Sequence, residues 1–270
     1  MAHPFPCALD GLVVGVVGLL ARGDGLTALR LGVAMTALQA SIGALNDVVD
    51  APHDATSKRE KPIPGGLVSS GLARLVIVLA AGAGLALSVP SGGLVAVLAL
   101  VVLAIGFGYD LGFKGTAWSW LPFALGIPLL PVFGWLGVSG SVPPAFAVLV
   151  PLAFVAGAAL AVANARADAG RDAAAGVDSV AVRLGPRRAE AVNAVLVVAA
   201  LLAAIVTRIP AGRGSPGPLI AVMGASLVVA AGLVIGHDGG SQRLERAWEL
   251  ESVGFGLLAA AWLAGAGPGG

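Results

Sequence analysis

The residues best suited to chemistry form two copies of one pattern, N-x-x-x-D-x-x-x-D, each at the end of a long apolar run. We call the copies the first and second ladders, and they consist of Asn46, Asp50 and Asp54, and of Asn164, Asp168 and Asp172. Side chains four residues apart lie on the same face of a helix, so each ladder aligns three oxygen ligands. Oxygen-only ligation with open positions suits Mg²⁺, which also binds substrate phosphates. The ladders therefore predict a metal site that holds a diphosphate.

A second interpretation of these acids is a pair of solvated helix ends, because Asp and Asn are common where helices begin and end. One ladder alone would fit either interpretation equally well. Two ladders of matching spacing favour the metal site. Pro52 lies within the first ladder, so we expect a kink there, with Asp54 contributed by an unwound turn.

Cations and a Gly/Pro turn follow each ladder. Lys61 lies between the first ladder and the rigid segment 62–66, where an ammonium group is well placed to bind phosphate. Arg187 and Arg188 follow the second ladder, and fixing the orientation of the chain in the membrane is at least as good an explanation for them. Asp178 is expected to cap the helix that follows it.

The elements that must position these residues are membrane helices. The chain has 270 residues, of which 57% are hydrophobic and 11% charged, and its mean hydropathy is +0.93. This composition excludes a soluble globular enzyme, a disordered chain and a nucleic-acid-binding protein. It predicts an all-α, polytopic membrane bundle of about nine helices. The nine apolar runs span residues 8–21, 26–46, 72–89, 93–109, 117–139, 143–165, 189–207, 217–236 and 247–265.

The few charges are distributed unevenly between the two sides that nine spans would define. Twelve of the 16 basic residues and fourteen of the 15 acidic residues fall on the side of the N-terminus. The basic residues predict a cytoplasmic N-terminus. Basic loops alone would satisfy that rule, so the accompanying acids indicate a polar, functional layer on the cytoplasmic face.

Other metal chemistry finds little support in the sequence. The single cysteine, Cys7, excludes a disulfide framework and a cysteine zinc site. The three histidines, His3, His53 and His237, lack the paired spacing of zinc ligands, and we expect them to be solvated loop residues.

At these motifs the chain resembles the UbiA superfamily of intramembrane prenyltransferases. The resemblance covers nearly the whole chain, including the nine-span layout. The first motif is Asn46-Asp47-x-x-Asp50-x-x-x-Asp54 followed by Lys61-Pro62-Ile63-Pro64-x-Gly66. The second is Asp168-x-x-x-Asp172-x-x-x-Gly176 followed by Val182-Arg183-Leu184-Gly185, and a lesser feature is Tyr109 with Lys114. The chain departs from the family at Lys61, where members commonly have Arg.

The resemblance implies one transmembrane prenyltransferase domain over residues 1–270, with a lateral opening to lipid and a cytoplasmic cap of loops. Such enzymes bind a polyprenyl diphosphate through Mg²⁺, ionise it and join the prenyl group to an acceptor, often an aromatic ring. Carried over by position, the metal residues are Asn46, Asp50, Asp54, Asp168 and Asp172, of which the four aspartates are catalytic. Asp47 matches the motif and would orient its neighbours. The diphosphate would contact Lys61, Lys114 and Arg59, and the acceptor would face Tyr109 or Asp110.

Several alternatives stay open at this point. A secondary transporter also carries ionisable residues in its spans, but its acids should lie near the bilayer midplane, whereas both ladders lie at span ends. A non-catalytic lipid carrier and a terpene cyclase of the same family are further possibilities. The acceptor, the prenyl length and the oligomeric state are undetermined. The excess of Arg over Lys, with abundant Ala, Val and Gly, points to a bacterial inner membrane.

Overall fold

The computed structural model describes residues 4–22, 24–57, 61–209 and 216–265, and within these ranges the regular elements are all helical. A short 3₁₀ turn covers Val89–Ser91, and a π-helical turn covers Tyr109–Phe113. The α-helices are α1 Pro4–Leu20, α2 Gly25–Ser57, α3 Ser70–Ser88, α4 Gly93–Gly108, α5 Leu121–Gly126, α6 Leu129–Ser139, α7 Phe146–Ala174, α8 Val180–Leu184, α9 Pro186–Val206, α10 Gly217–Gly236 and α11 Ser241–Ala264.

Seven helical segments among the described residues are long and apolar enough to cross a membrane, so the chain is an integral membrane protein. Their outer surfaces are apolar: Leu227 is 72% exposed and Val234 is 73% exposed, as expected for side chains facing lipid. The prediction of nine spans is not confirmed. The first predicted span is the 17-residue α1, and the ninth is α11, whose first half is rich in charged side chains.

The predicted run 117–139 corresponds to one candidate membrane segment, Leu121–Ser139, which is interrupted inside: α5 ends at Gly126 and α6 begins at Leu129, with Pro128 at the break. One local expectation was wrong. Helix α2 continues past Pro52 to Ser57, so Asp54 belongs to a helix and not to an unwound turn. The missing N–H of Pro52 removes one main-chain bond, to the carbonyl of residue 48, without ending the helix.

The chain divides into two compact units. The first comprises residues 1–112 and 129–142, in which α2 packs against α1 and α3. Glycines make these approaches possible. A Cβ on Gly11 of α1 would lie 1.9 Å from Thr36 Oγ1 of α2, and one on Gly84 of α3 would lie 2.6 Å from Leu38 Cδ2. Small residues thus allow the close helix contacts of this unit.

The second unit comprises residues 113–128 and 143–270, and it has two main helix pairings, α10 with α11 and α7 with α9. The first pairing is again set by glycine. A Cβ on Gly254 of α11 would lie 2.5 Å from Val229 Cγ2 and 2.8 Å from Val229 N of α10. The close backbone contact brings the helices near enough for their apolar side chains to interdigitate.

Candidate active site

The first ladder lies on the last three turns of α2, within the first unit. Asn46, Asp50 and Asp54 follow one another at helical spacing, and Asp47 lies beside them on the same helix. Asp47 and Asp54 are buried, with side chains 8% and 4% exposed, and Asp50 is 22% exposed. Buried carboxylates need a compensating cation or hydrogen-bond donors, because burial strongly disfavours an isolated charge.

Lys61 supplies that cation. Its Nζ lies 2.6 Å from Asp54 Oδ2, 3.5 Å from Asp47 Oδ1 and 4.0 Å from Asp50 Oδ2. Three carboxylates from successive turns of α2 therefore face one ammonium group. Lys61, which we predict to bind phosphate, directs its side chain into the carboxylates of α2. Spacing along the chain did not indicate this arrangement, because Lys61 lies beyond the end of the helix.

A compact turn holds the main chain of Lys61. Gly65 N donates to Lys61 O at 2.8 Å, and Leu67 N and Val68 N both donate to Pro62 O. Gly66 has a φ of +71°, a left-handed conformation that favours glycine. The Pro and Gly residues of segment 61–68 therefore build a rigid base from which a flexible side chain extends.

The electrostatics of Lys61 follow from this geometry. Burial by itself lowers the pKa of the Lys61 ammonium, but the hydrogen bond to Asp54 and the charges of Asp54, Asp47 and Asp50 outweigh it. The net result is a pKa above the usual lysine value. Lys61 is thus a positive charge at neutral pH.

The first ladder is also joined to the π-helical turn that follows α4. Asn46 Nδ2 donates a 2.8 Å hydrogen bond to Asp110 Oδ1, and Asp110 is buried. Tyr109, the preceding residue, is half-buried. The resemblance implied that Asp110 or Tyr109 faces the acceptor. The structure adds a contact with the first ladder that no sequence spacing could indicate, since residues 46 and 110 lie on different helices.

The second ladder lies at the end of α7, in the second unit. Asn164, Asp168 and Asp172 are all partly exposed. Arg171 Nη2 forms an ion pair with Asp168 Oδ1. After α7 ends, Gly176 adopts a φ of +71° and Val177 N donates to Asp172 O at 2.8 Å. The helix end is therefore closed by a glycine turn, which leaves the carboxylates in the final two turns of the helix.

The remaining predicted residues have different outcomes. Lys114 follows the π-helical turn in the second unit and is half-buried. Arg59 lies outside the described residues. Asp178 does not cap a helix: Ser179 is the N-cap residue of α8, and Asp178 Oδ2 accepts a 2.7 Å bond from Arg183 Nε. His237 is 71% exposed, as expected for a loop residue.

A buried polar cluster in the second unit was not predicted. Asn193 of α9 donates through Nδ2 to Ala159 O of α7 and to Glu251 Oε2 of α11, both at 3.2 Å. Arg166 of α7 donates to Asn193 Oδ1 and to Gly236 O. Glu251 is only 1% exposed. The cluster satisfies these groups and joins four helices through polar contacts.

The cluster extends to the surface at Glu190. His237 Nδ1 lies 2.8 Å from Glu190 Oε1, and Arg166 Nη2 lies 3.7 Å from the same oxygen. The hydrogen bond that Glu190 accepts from the imidazole raises the pKa of His237, with smaller contributions from the charges of Asp238 and Glu190. Ligand atoms of Glu190, His237 and Asp238 lie within 4.8 Å of one another. Because Arg166 already compensates Glu190, we assign no metal to this group.

The donor set of the first ladder fits a hard cation. Its side chains supply oxygen atoms, and the Lys61 ammonium shows that its two carboxylates, together with that of Asp47, can converge on one positive centre. Residues 11–264 match the UbiA prenyltransferase family. The chain belongs to this family. The UbiA match runs through both units and includes every predicted site residue of the two ladders.

Solved structures show the same UbiA fold at low sequence identity. A UbiA homologue from Aeropyrum pernix K1, in its apo form, is 19% identical with a TM-score of 0.78, covering 96% of this chain and 98% of its own. One from Archaeoglobus fulgidus is 21% identical with a TM-score of 0.73, covering 97% and 94%. The A. fulgidus protein is also known bound to GPP and Mg²⁺, at 19% identity, a TM-score of 0.68 and coverage of 94% and 95%. No protein of curated function matches the chain by sequence.

Proposed function

We propose that this chain is a Mg²⁺-dependent prenyltransferase that moves a prenyl group from a polyprenyl diphosphate to an aromatic acceptor. The observation that carries the proposal is the convergence of Asp47, Asp50 and Asp54 on one cationic centre in a member of the UbiA family. The A. fulgidus homologue has been solved with GPP and Mg²⁺ and with DMAPP and Mg²⁺, which supports the same classes of ligand here.

The roles of the residues follow the donor chemistry. Carboxylate and amide oxygens suit the metal, and we assign to it Asn46, Asp50, Asp54, Asp168 and Asp172. Cationic side chains suit the diphosphate, and we assign to it Lys61, Lys114 and Arg59. Tyr109 and Asp110 are assigned to the acceptor. In this proposal both ladders serve the same reaction, so residues 1–270 work as one catalytic domain.

The chemistry is mainly electrostatic. Bound Mg²⁺ would neutralise the negative charge that develops on the diphosphate as the allylic C–O bond breaks. The chain's carboxylates hold the cation, and the ammonium groups bind the phosphate oxygens that carry the developing charge. The apolar helices provide a surrounding in which the prenyl chain is dissolved and water is scarce. We place the protein in a bacterial inner membrane, with its N-terminus and active site facing the cytoplasm.

The test uses the purified full-length protein in lipid nanodiscs. Prenyl diphosphates of several lengths are supplied with a panel of phenolic and other acceptors, in Mg²⁺ or in EDTA, and product and released diphosphate are quantified. We expect a prenylated acceptor only in Mg²⁺. Release of diphosphate without consumption of an acceptor would indicate that the protein catalyses cyclisation or hydrolysis and not prenyl transfer. Equal activity in EDTA would contradict the metal assignment.

A further inference from the structure

The position of Lys61 conflicts with the two roles that the proposed function gives to its neighbourhood. Asp50 and Asp54 are assigned to the metal, and Lys61 is assigned to the diphosphate. In the structure the Lys61 ammonium lies 2.6 Å from Asp54 Oδ2 and faces Asp47 and Asp50 as well. A divalent cation on the same oxygen would meet a positive charge at close range, and two cations so near one another repel strongly.

We propose that Lys61 is an internal counter-ion that partly neutralises Asp47, Asp50 and Asp54 in the metal-free protein and is exchanged for Mg²⁺ when a diphosphate binds. This inference rests on the proposed function. It concerns a step before prenyl transfer, in which the Lys61 ammonium leaves the carboxylates and Mg²⁺ takes its place.

The burial of the carboxylates explains why a counter-ion is needed. Asp47 and Asp54 are largely removed from solvent, with side chains 8% and 4% exposed, and both belong to a continuous helix that cannot separate them. Without a cation the two charges would repel each other in a poorly solvated place. The ammonium lowers that repulsion, because it lies within 4.0 Å of all three carboxylates.

The construction of segment 61–68 explains why the ammonium can leave. The main chain of Lys61 is held by the Gly65 N to Lys61 O bond, and the next residues are held by two bonds to Pro62 O. The lysine side chain has a flexible four-carbon stem, and its ammonium is a compact charge whose three N–H donors can rotate. A swing of the side chain alone therefore moves the charge, while the turn remains as it is.

The exchange couples the metal to the diphosphate. Mg²⁺ alone must displace the Lys61 ammonium from Asp54, and no new anion arrives to replace Asp54 as its partner. Mg²⁺ arriving with a diphosphate displaces an ammonium that gains phosphate oxygens as new partners. The free energy of one binding event thus depends on the other, and the coupling is reciprocal. Lys61 thereby makes the affinity of the metal site depend on the substrate.

The experiment measures metal binding and not activity. Mg²⁺ is titrated calorimetrically into the full-length protein in nanodiscs, with and without inorganic pyrophosphate, for wild type, Lys61→Gln and Arg74→Gln. Arg74 is exposed on α3 and loses the same formal charge without contacting the ladder, so it is the matched control. We expect Lys61→Gln to bind Mg²⁺ alone at least tenfold more tightly than wild type, and Arg74→Gln to stay within twofold of wild type. Pyrophosphate should tighten Mg²⁺ binding more in wild type than in Lys61→Gln.

A second measurement needs no substitution in the ladder. The chain has three lysines, so reductive ¹³C-methylation of wild type yields a small set of NMR signals, assigned with Lys61→Arg. The Lys61 signal should move on adding Mg²⁺ and pyrophosphate together, and much less with Mg²⁺ alone. Unchanged or weaker Mg²⁺ binding by Lys61→Gln, or a Lys61 signal that stays fixed with both ligands, would overturn the inference alone. Absence of Mg²⁺ binding in every protein would overturn the proposed function and this inference with it.

Discussion

Asn46 Nδ2 donates a 2.8 Å hydrogen bond to Asp110 Oδ1 and so joins the end of α2 to the π-helical turn after α4. Because the amide N–H is engaged in this bond, the atom that Asn46 can offer to a cation is its carbonyl oxygen. Asn46 of the first ladder is thereby in direct contact with Asp110, which we assign to the acceptor. A substitution at Asp110 should consequently alter the hydrogen bonding of Asn46.

This contact predicts a rescue between two substitutions. Asn46→Asp places a second carboxylate against buried Asp110, and like charges at that distance should lower the free energy of unfolding by about 1–3 kcal/mol. Combining it with Asp110→Asn exchanges the two groups and restores the hydrogen bond. We expect the double variant to recover most of the thermal stability in detergent. A double variant no more stable than Asn46→Asp would contradict the contact.

The ladders predict a loss of activity without a loss of fold. Asp50→Asn and Asp168→Asn each preserve shape but remove a charge from the proposed metal ligands, so product formation should fall at least about 10²-fold. The double variant should be little worse than either single one, because residues that act as a unit lose their function together. Asp24→Asn, in the exposed turn before α2, is the control and should retain activity. Full activity in either single variant would refute the metal assignment.

The Glu190–His237 pair predicts a pH dependence. Its hydrogen bond raises the folded-state pKa of His237 above the unfolded value near 6.5. The stabilisation is therefore fully present below the unfolded pKa and is lost as the pH rises through the folded one. NMR titration of the His237 imidazole should show a lower pKa in Glu190→Gln than in wild type. As the pH rises from the unfolded pKa of His237 through its folded pKa, the melting temperature of wild type should fall more steeply than that of Glu190→Gln. An identical imidazole titration in both proteins would contradict the pairing.

The α10–α11 contact predicts a steric penalty at one glycine. Gly254→Ala would bring a methyl group to 2.5 Å from Val229 Cγ2 and 2.8 Å from Val229 N, and a main-chain atom cannot turn aside as a side chain can. We expect the free energy of unfolding to fall by about 1–3 kcal/mol, and thermal denaturation in detergent would measure this loss. Gly224→Ala on α10 meets nothing within 4 Å and is the matched control. It should be neutral or stabilising by up to about 1 kcal/mol, because alanine favours the helix.

The proposed orientation predicts the sidedness of chemical labelling. Cys7 is the only cysteine, so a Cys7→Ser background makes Ser57→Cys the single thiol, at the end of α2. A membrane-impermeant maleimide should label it in inverted vesicles and not in intact cells or right-side-out vesicles. Labelling from the outside alone would invert the topology, while the assignment of the ladders would stand.

The sequence was sufficient for features that depend on neighbours along the chain. Seven of the nine hydrophobic runs located segments that are long and apolar enough to cross a membrane, since the bilayer imposes length and apolarity on each helix separately. The four-residue spacing located both ladders for a similar reason, because a helix places residues 46, 50 and 54 on one face whatever surrounds it. The resemblance carried by those motifs led to the family that residues 11–264 match.

The tertiary structure decided what depends on distant parts of the chain. It showed that α2 continues through Pro52, that Lys61 lies among the carboxylates of the first ladder, and that Asn46 pairs with Asp110. It also showed that Glu251 belongs to a polar cluster with Asn193. A helical pattern determines which face a residue occupies, but the partner of that face depends on how helices far apart in the chain pack. Packing depends on where two helix backbones can approach closely, as they do at Gly254. The spacing of residues along the chain does not indicate which helices will make such an approach.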